Sequence, residues 1–475
     1  MRVLFCSPEA APYAKTGGLA DVSGALPIAL RELGIDCQAV MPLYKSVKKS
    51  GIDLTHEADI SFLSGQGVSQ GRVYSHGQVY FIENDMYFNR DGIYAYANRD
   101  FPDNLERFAF FSRACLELAV TLGDVDVIHC NDWQTGLIPA YLHALDLRDI
   151  RSCYTIHNLA YQGIFDAVLW PLLFLPYEYF RPDLMEFFGH INIMKAGIVF
   201  ADQVTTVSPS YAREIQTPEF GAGLDGLLRA VSFKLSGIAN GIDTVVWDPA
   251  SDPLIPHHFH RDNLEGKALC KRELQQRFAL TEKPDAPLFG LIGRLVDQKG
   301  IDLVISAMED LLSLGAQVVV LGTGERWHEE NLSQMAARLP GSLGARIGFD
   351  EALAHVIEAG SDFFLMPSRF EPCGLNQMIS MRYGTIPIVT GVGGLRDTVT
   401  CLGEGDLPCG LRVKWPSARE LSEAMRLACR IYRDDPGLFS SLQRNAMGRN
   451  VDWAQSALQY SSMYDKMINF RESGR

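Results

Sequence analysis

Short apolar runs recur along this chain, and each is followed by a loop and then by a helix-like pattern. In the first half such runs lie at residues 2–6, 37–41, 126–130, 152–156 and 203–207. The first run leads through a loop with two prolines and two glycines into an apolar-periodic helix at 19–33, for which Gly34 is a suitable end. Strands that alternate with helices predict an α/β fold with parallel sheets and right-handed crossovers.

The alternation of strand-like and helix-like segments is interrupted and then resumes in the second half of the chain. Residues 243–287 are rich in proline and polar residues and read as a linker plus an entering helix. Further strands are expected at 288–293, 317–321, 362–366 and 386–390. With 475 residues the chain is long enough for two large domains. We therefore expect domains at 1–242 and 243–450, and a C-terminal helix at 451–475 that packs back on the first domain.

The charge and the cysteines narrow the possible partners and the compartment. The net charge of −14 argues against nucleic acid and against an anionic membrane surface, because both are polyanions. Ten cysteines occur without a CxxC pair, as is usual for free thiols in a reducing compartment. The N-terminal apolar run is too short for a signal peptide. These features predict a cytoplasmic protein.

Two glycine pairs follow strands and open helices. The first stands in the segment KTGGLAD, with Lys15, Gly17 and Gly18, and the second in GGLRD, with Gly393 and Gly394. Glycine lets the backbone approach a ligand closely, and a helix N-terminus favours an anion. An ordinary glycine turn explains the first motif about equally well. The echo between the two suggests related nucleotide-binding halves that face one cleft.

Charged residues follow two strands of the second domain. Arg294 ends one strand and Lys299 opens the next helix, so both are expected at the carboxyl edge of the sheet, where ligands of open α/β sheets bind. Two fixed cations would stabilise a leaving diphosphate. Glu371 precedes a proline in the segment SRFEPCGL, and its carboxylate can bind sugar hydroxyls or stabilise an oxocarbenium-like centre. The alternatives are a solvated cation pair and a surface acid.

Polar side chains also follow strands of the first domain. His157 and Asn158 come after one strand and Asp132 after another, while Asn240 stands in a turn that can border the cleft. A lone histidine is more often structural than functional.

Two further patterns resemble metal sites but are not interpreted as such. Asp124-Val125-Asp126 leads into a buried strand, and the histidines at 257, 258 and 260 lie in the proline-rich connector with no adjoining cluster of cysteines or carboxylates. No GxGxxG fingerprint follows a strand, which counts against a dehydrogenase. We therefore expect no metal and no cofactor.

Four segments together, KTGGLADV from residue 15, HNLAYQG at 157–163, GRLVDQKG at 293–300 and SRFEPCGLNQM at 368–378, closely resemble bacterial glycogen synthases and plant starch synthases. The resemblance runs in order along essentially the whole chain. It implies the GT-B fold, with two Rossmann-like domains around an interdomain cleft. It also implies a metal-independent, retaining transfer of glucose from ADP-glucose, or alternatively UDP-glucose, to the 4-hydroxyl of an α-1,4-glucan.

The same resemblance implies roles for individual residues. Lys15, Gly17 and Gly18 would lie near the diphosphate and the acceptor, Arg294 and Lys299 would neutralise the diphosphate, and His157 would lie at the transferred glucose. The glucose itself would be held by Glu371, Cys373, Gly374 and Leu375. Phosphate would be cradled by Gly393, Gly394 and Leu395. The cleft would also include Tyr94, Asp132 and Asn240. Asn158 is assigned from the sequence itself, because it makes a polar pair with His157 that is suited to sugar hydroxyls. The catalytic set would be Lys15, His157, Arg294, Lys299 and Glu371.

One position departs from related retaining enzymes. Many carry a second glutamate eight residues after the first, where this chain has Ile379, so the residue that contacts the ribose is unassigned. Three rival functions remain for comparison: a nucleotide-sugar epimerase, a glucan-binding protein without catalysis, and a phosphorylase, for which no pyridoxal-phosphate lysine is identified. A double displacement would need a carboxylate nucleophile, for which Glu371 is the candidate, whereas same-face attack would not.

Overall fold

The computed structural model of the protein describes residues 1–65, 67–96 and 99–473. The chain divides into two compact units. The first is formed by Met1–Asn240 together with Trp453–Arg475, and the second by Gly241–Asp452. Across the described ranges, every helix is too short or too polar to cross a bilayer.

The first unit is built on a nine-stranded sheet with the order β14-β13-β9-β8-β1-β2-β5-β4-β3. All neighbouring pairs are parallel except β5-β4 and β4-β3, which are antiparallel. The strands of this unit are β1 (Arg2–Cys6), β2 (Asp36–Pro42), β3 (Thr55–Ser64), β4 (Gly67–His76), β5 (Val79–Glu83), β6 (Ala95–Tyr96), β7 (Arg99–Asp100), β8 (Val127–Asn131), β9 (Arg151–Ile156), β10 (Ile164–Asp166), β11 (Glu186–Phe187), β12 (His190–Asn192), β13 (Gln203–Thr206) and β14 (Leu235–Gly237).

Helices connect these strands and cover the sheet. They are α1 (Gly18–Glu32), α2 (Lys45–Lys49), α3 (Asp85–Phe88), α4 (Asn104–Leu122), α5 (Leu137–Ala144), α6 (Ile193–Phe200), α7 (Pro209–Glu214) and α8 (Asp225–Ala230). Short 3₁₀ turns lie at Trp133–Thr135, Ala167–Leu173, Tyr177–Tyr179 and Ser232–Lys234.

The second unit contains a six-stranded, fully parallel sheet with the order β17-β16-β15-β18-β19-β20. Its strands are β15 (Leu288–Leu295), β16 (Gln317–Gly324), β17 (Leu343–Ile347), β18 (Phe363–Met366), β19 (Ile386–Thr390) and β20 (Leu411–Val413). Its helices are α9 (Glu265–Arg277), α10 (Ile301–Ser313), α11 (Arg326–Arg338), α12 (Glu351–Gly360), α13 (Asn376–Arg382), α14 (Gly393–Thr398), α15 (Ala418–Asp434) and α16 (Pro436–Met447), with a 3₁₀ turn at Asp297–Lys299.

The predicted parallel strands are confirmed, with bounds that differ by a few residues. β1 and β19 match the sequence-based ranges at both ends, and α1 begins and ends one residue earlier than expected. Gly34 follows the helix with φ 84°, a conformation that suits glycine. β15 and β16 run two and three residues further than predicted, because Arg294 and Leu295 stay paired in register with Thr323 and Gly324.

The last helix, α17 (Ala454–Ser473), packs on the first unit. Trp453, Tyr460 and Tyr464 share an apolar cluster with residues of β1 and α1. The ring of His129 in β8 is hydrogen-bonded at both nitrogens. Its Nδ1 lies 2.6 Å from the hydroxyl of Tyr464 in α17, and its Nε2 lies 2.6 Å from Thr155 Oγ1 in β9. Burial lowers the pKa of His129 to about 3, so this histidine is a neutral part of the core.

Two buried lysines of α9 hold the second unit together. Lys267 Nζ donates to the carbonyl of Ala359 at 3.0 Å, near the C-terminus of α12, where a cation is favourable. Lys271 Nζ forms an ion pair with Asp362 at 2.7 Å, and the same Asp362 oxygen accepts from the backbone N–H of Leu288 at 2.8 Å. This ion pair therefore joins α9 to the starts of β15 and β18.

Replacing Lys271 with Met should lower the free energy of unfolding of the second unit by about 3–5 kcal/mol, because Asp362 would be left buried without its cation. Urea unfolding of the full chain measures this change. Arg277→Ala is the control, since it breaks an exposed i,i+4 pair with Glu273 and should cost only about 0.3–0.5 kcal/mol. Similar losses in the two variants would contradict the prediction.

Candidate active site

The strand order of the second unit reverses direction next to β15. From β15 the chain builds outward to β16 and β17 on one side, and it then returns to add β18, β19 and β20 on the other. Ligands of such sheets bind at the carboxyl ends of the strands at this switch point. Arg294 is an exposed residue of β15, Lys299 ends the following 3₁₀ turn, and Glu371 lies in the loop after β18.

Lys299 and Glu371 form an ion pair at this switch point. Lys299 Nζ lies 2.6 Å from Glu371 Oε2, and Ser368 Oγ donates to the same oxygen at 2.9 Å. The glutamate is 4% exposed as a residue, while the lysine side chain is 25% exposed. A buried carboxylate needs such partners. The lysine keeps N–H donors for a second anion, because an ammonium group has three.

Arg369, next to Glu371, ties the two loops of the pair together. Its guanidinium makes two hydrogen bonds to the Asp302 carboxylate at 2.7 and 2.6 Å and a third to the carbonyl of Asp297 at 2.6 Å. Its backbone N–H donates to the carbonyl of Gln298 at 2.9 Å. The positions of Lys299 and Glu371 are therefore set together by a residue that the sequence analysis did not single out.

The second glycine pair packs directly on the Glu371 loop. A Cβ atom on Gly393 would lie 1.9 Å from the carbonyl oxygen of Glu371, and one on Gly394 would lie 2.1 Å from that of Cys373. The N–H of Gly394 donates to Glu371 O at 3.0 Å, and the N–H of Leu395 donates to Val392 O at 3.1 Å. Both glycines are thus required for the close contact of α14 with this loop, and the Leu395 side chain is fully buried.

The segment after Glu371 turns sharply into α13. Gly374 has φ 73°, and a Cβ there would lie 2.4 Å from the Gln377 amide oxygen. Gln377 Nε2 donates to the carbonyls of Cys373 and Gly374 at 3.0 and 2.9 Å, which fixes the turn. Cys373 is buried, Leu375 is half-buried, and Ile379 lies in the core.

The first unit has a corresponding switch point between β1 and β8. Glu9, in the loop after β1, is 3% exposed, and its carboxylate accepts from the Thr16 N–H at 2.5 Å and from the Tyr94 hydroxyl at 3.0 Å. Burial raises the pKa of Glu9, and these hydrogen bonds oppose the shift. Glu9 therefore organises the glycine loop. Sequence reasoning missed it, although it is the single acid between β1 and Lys15.

The glycine loop itself is exposed. Lys15 Nζ pairs with Asp21 at 2.7 Å, and the two side chains are 28% and 34% exposed. Gly17 is the N-cap of α1, which begins at Gly18, and a Cβ on Gly17 would meet no described atom within 4 Å. This glycine therefore leaves open space in front of the helix N-terminus, where an anion is favourable.

Asp132, His157 and Asn158 meet at the ends of β8 and β9. Asp132 has φ 55°, and its Oδ1 accepts from the N–H of His157 at 2.8 Å and of Asn158 at 3.4 Å. Burial raises the pKa of Asp132 to about 7. Burial also lowers the pKa of His157 to about 3, so its ring is neutral at ordinary pH. Asn158 Oδ1 accepts from the Ala160 N–H at 3.0 Å and shapes the loop.

Asn240 is the last residue of the first unit and is not joined to these groups. It is buried, and its Oδ1 has no hydrogen-bond partner among the described residues. The DxD acids are used locally, since Asp124 pairs with Arg2 at 2.5 Å and Asp126 accepts from the Arg2 N–H at 2.7 Å.

A different group has the composition of a metal site. Within the described ranges, potential ligand atoms of Asp297, Glu325 and His328 lie within 4.8 Å of one another. His328 Nε2 contacts Asp297 at 3.0 Å, and its Nδ1 is buried with no partner in the described chain. Histidine ligands usually donate their second N–H to an acceptor, which this ring lacks.

Comparisons with known proteins agree along the chain. Residues 2–230 match the family model described as the starch synthase catalytic domain, and residues 273–436 match the glycosyl transferases group 1 model. The chain is 48% identical over 471 residues to a glycogen synthase of Anaeromyxobacter dehalogenans, covering 98% of this chain and 99% of that protein. It is 41% identical over 485 residues to a glycogen synthase of Syntrophotalea carbinolica, covering 100% of both.

Solved structures give the same result. The catalytic domain of starch synthase IV from Arabidopsis thaliana, bound to ADP and acarbose, superimposes with a TM-score of 0.91 at 33% identity, covering 98% of this chain and 99% of that one. A sucrose-phosphate synthase from Thermosynechococcus elongatus, at 18% identity with a TM-score of 0.63 and the same coverage, shares the fold. The two Rossmann-like units thus form the GT-B fold, and the chain belongs to the glycogen and starch synthase family of glycosyltransferases.

Proposed function

We propose that this protein transfers glucose from ADP-glucose to the non-reducing 4-hydroxyl of an α-1,4-glucan, with retention of configuration and without a metal. The observation that carries the proposal is the full-length similarity to a starch synthase structure that holds ADP and acarbose, a nucleotide and an oligosaccharide. UDP-glucose is the alternative donor. The protein would act in the cytoplasm, without a nucleic-acid or membrane partner.

In this proposal residues 243–450 bind the donor. Arg294 and Lys299 face the diphosphate, which gains negative charge as it leaves. Glu371, Cys373, Gly374 and Leu375 hold the glucose, and the loop of Gly393, Gly394 and Leu395 lies against the phosphates. Phe349, 76% exposed just after β17, offers a ring on which the base can stack.

Residues 1–242 provide the acceptor side, and residues 451–475 pack on them. Lys15, Gly17 and Gly18 lie near the diphosphate and the acceptor, and Tyr94 supports that loop through Glu9. His157 lies at the transferred glucose, with Asp132, Asn158 and Asn240 lining the cleft.

The reaction is proposed to proceed by attack on the same face as departure. Glu371 Oε2 already accepts from Lys299 and Ser368, an arrangement that suits a carboxylate used for binding better than a nucleophile. The leaving phosphate would then assist removal of the proton from the acceptor hydroxyl. A double displacement through Glu371 is the alternative.

Purified protein should move labelled glucose from ADP-glucose into glycogen in the presence of EDTA. ADP-glucose and UDP-glucose are compared side by side, because the donor base is the least constrained part of the proposal. A preference for UDP-glucose would change the donor and keep the enzyme class. No incorporation from either donor would refute the synthase and favour the epimerase or a silent glucan binder.

Glu371→Gln and Lys299→Ala should each lower kcat by at least about 100-fold, because each removes one partner of a charge pair placed at the reacting diphosphate sugar. Lys283→Ala is the matched control, since Lys283 is an exposed lysine of the same unit. Circular dichroism verifies folding. Near-normal turnover in both site variants would overturn the assignment of this site.

The rate of transfer should fall as the pH drops through about 7. Asp132, with its pKa raised to about 7, then gains a proton and holds the His157 and Asn158 amides less strongly. Asp132→Asn keeps an oxygen acceptor and cannot titrate in this range, so the transfer rate of this variant should not fall as the pH drops through about 7. Identical profile shapes for the two proteins would contradict this role of Asp132.

A further inference from the structure

Asn131, the last residue of β8, is hydrogen-bonded to the ring of His157. The residue is fully buried, and its amide is bonded at both ends. Its Nδ2 donates to the carbonyl of Cys6 in β1 at 3.0 Å, and its Oδ1 lies 2.9 Å from His157 Nε2. Asn131 thus connects β1 and β8 to the histidine at the end of β9.

These contacts determine which ring nitrogen of His157 carries the proton. A carbonyl oxygen can only accept, so the Cys6 carbonyl requires the NH₂ group of Asn131, and the amide oxygen must face the histidine. His157 Nε2 must therefore be the donor. In a neutral ring this leaves the lone pair on Nδ1, which has no hydrogen-bond partner in the described part of the chain.

We propose that Asn131 is a positioning residue that holds His157 as the Nε2–H tautomer and directs its Nδ1 lone pair to a hydroxyl group of the sugar. This inference rests on the proposed function for the identity of the sugar. His157 then acts as a hydrogen-bond acceptor for the donor glucose and not as an acid.

The neighbouring residue completes the arrangement. Asp132 holds the backbone N–H of His157 at 2.8 Å, while Asn131 holds its ring, so two successive residues fix both parts of the histidine. The titratable groups near His157 are Asp132, which itself interacts with Glu9, and His129 of β8, which is neutral. A ring fixed in this way arrives at the sugar without reorganisation, which is how positioning lowers a barrier.

A double-mutant cycle tests whether Asn131 acts through His157. Asn131→Leu should lower kcat/KM for ADP-glucose by about 10–100-fold in the wild-type background, since a misplaced group costs about this much. In a His157→Ala background the same change should cost less than about 3-fold, because no ring remains to be positioned. If the fold-losses in kcat/KM of the two single variants multiply in the double variant, the proposal is overturned.

Thr135→Val is the control for general damage near this strand end. Its hydroxyl is buried and lies 2.9 Å from the backbone carbonyl of Asn131 and 3.2 Å from that of Asp132, and among the described residues it makes no hydrogen bond to the His157 ring. This variant should change kcat/KM by less than about 3-fold in both backgrounds. A loss as large as that of Asn131→Leu would show that loosening the strand end is sufficient, and it would contradict a specific role of the amide.

A second measurement needs no variant of Asn131 and no turnover. Nitrogen NMR of histidine-labelled protein, with the His157 signal identified by its absence in His157→Gln, reports the protonation of each ring nitrogen. At pH 7 we expect a neutral ring with the proton on Nε2. A proton on Nδ1, or a doubly protonated ring, would overturn the proposal even if glucose transfer is confirmed, whereas failed transfer would leave this result intact.

Discussion

In a parallel sheet the carboxyl ends of the strands lie at one edge, and the strand order decides where along that edge a ligand-binding crevice opens. In the second unit it opens between β15 and β18, and in the first between β1 and β8. Arg294, Lys299 and Glu371 lie in the opening of the second unit. The glycine loop and Asp132 lie in the opening of the first unit. The apolar cores, the helices and the buried Lys271–Asp362 pair at the starts of β15 and β18 hold the strands in place, and the carboxyl ends are positioned as a result.

The charged groups of both openings already have partners within the chain. Lys15 is paired with Asp21, Lys299 with Glu371, and the loop before α1 with Glu9. In a chain with a net charge of −14, carboxylates are available to satisfy each cation before an anionic ligand arrives. Binding a diphosphate is then an exchange of partners, which limits the affinity for anions that make no other contacts.

The sequence predicted the parallel strands well, because buried strands are continuous apolar runs bounded by glycine and proline. It did not predict β3 and β4, whose half-exposed faces mix polar and apolar residues. It also did not predict the parallel strands β5, β14, β17 and β20. In the candidate site, Lys299 and Glu371 were found because each follows a strand. Glu9, Asn131 and Arg369 were missed, because their roles depend on partners that are distant in the sequence or lie in another loop.

Gly393 and Gly394 touch the backbone of the segment that carries Glu371, at distances where no Cβ atom fits. A side chain at either position must push that backbone, and with it the carboxylate that Lys299 holds. In a mutational scan, substitutions at these two positions will therefore reduce activity as strongly as substitutions of residues that contact the substrate. Sensitivity to mutation at this loop is consequently a measure of mechanical coupling as much as of chemistry, and contact with a ligand has to be established by other means.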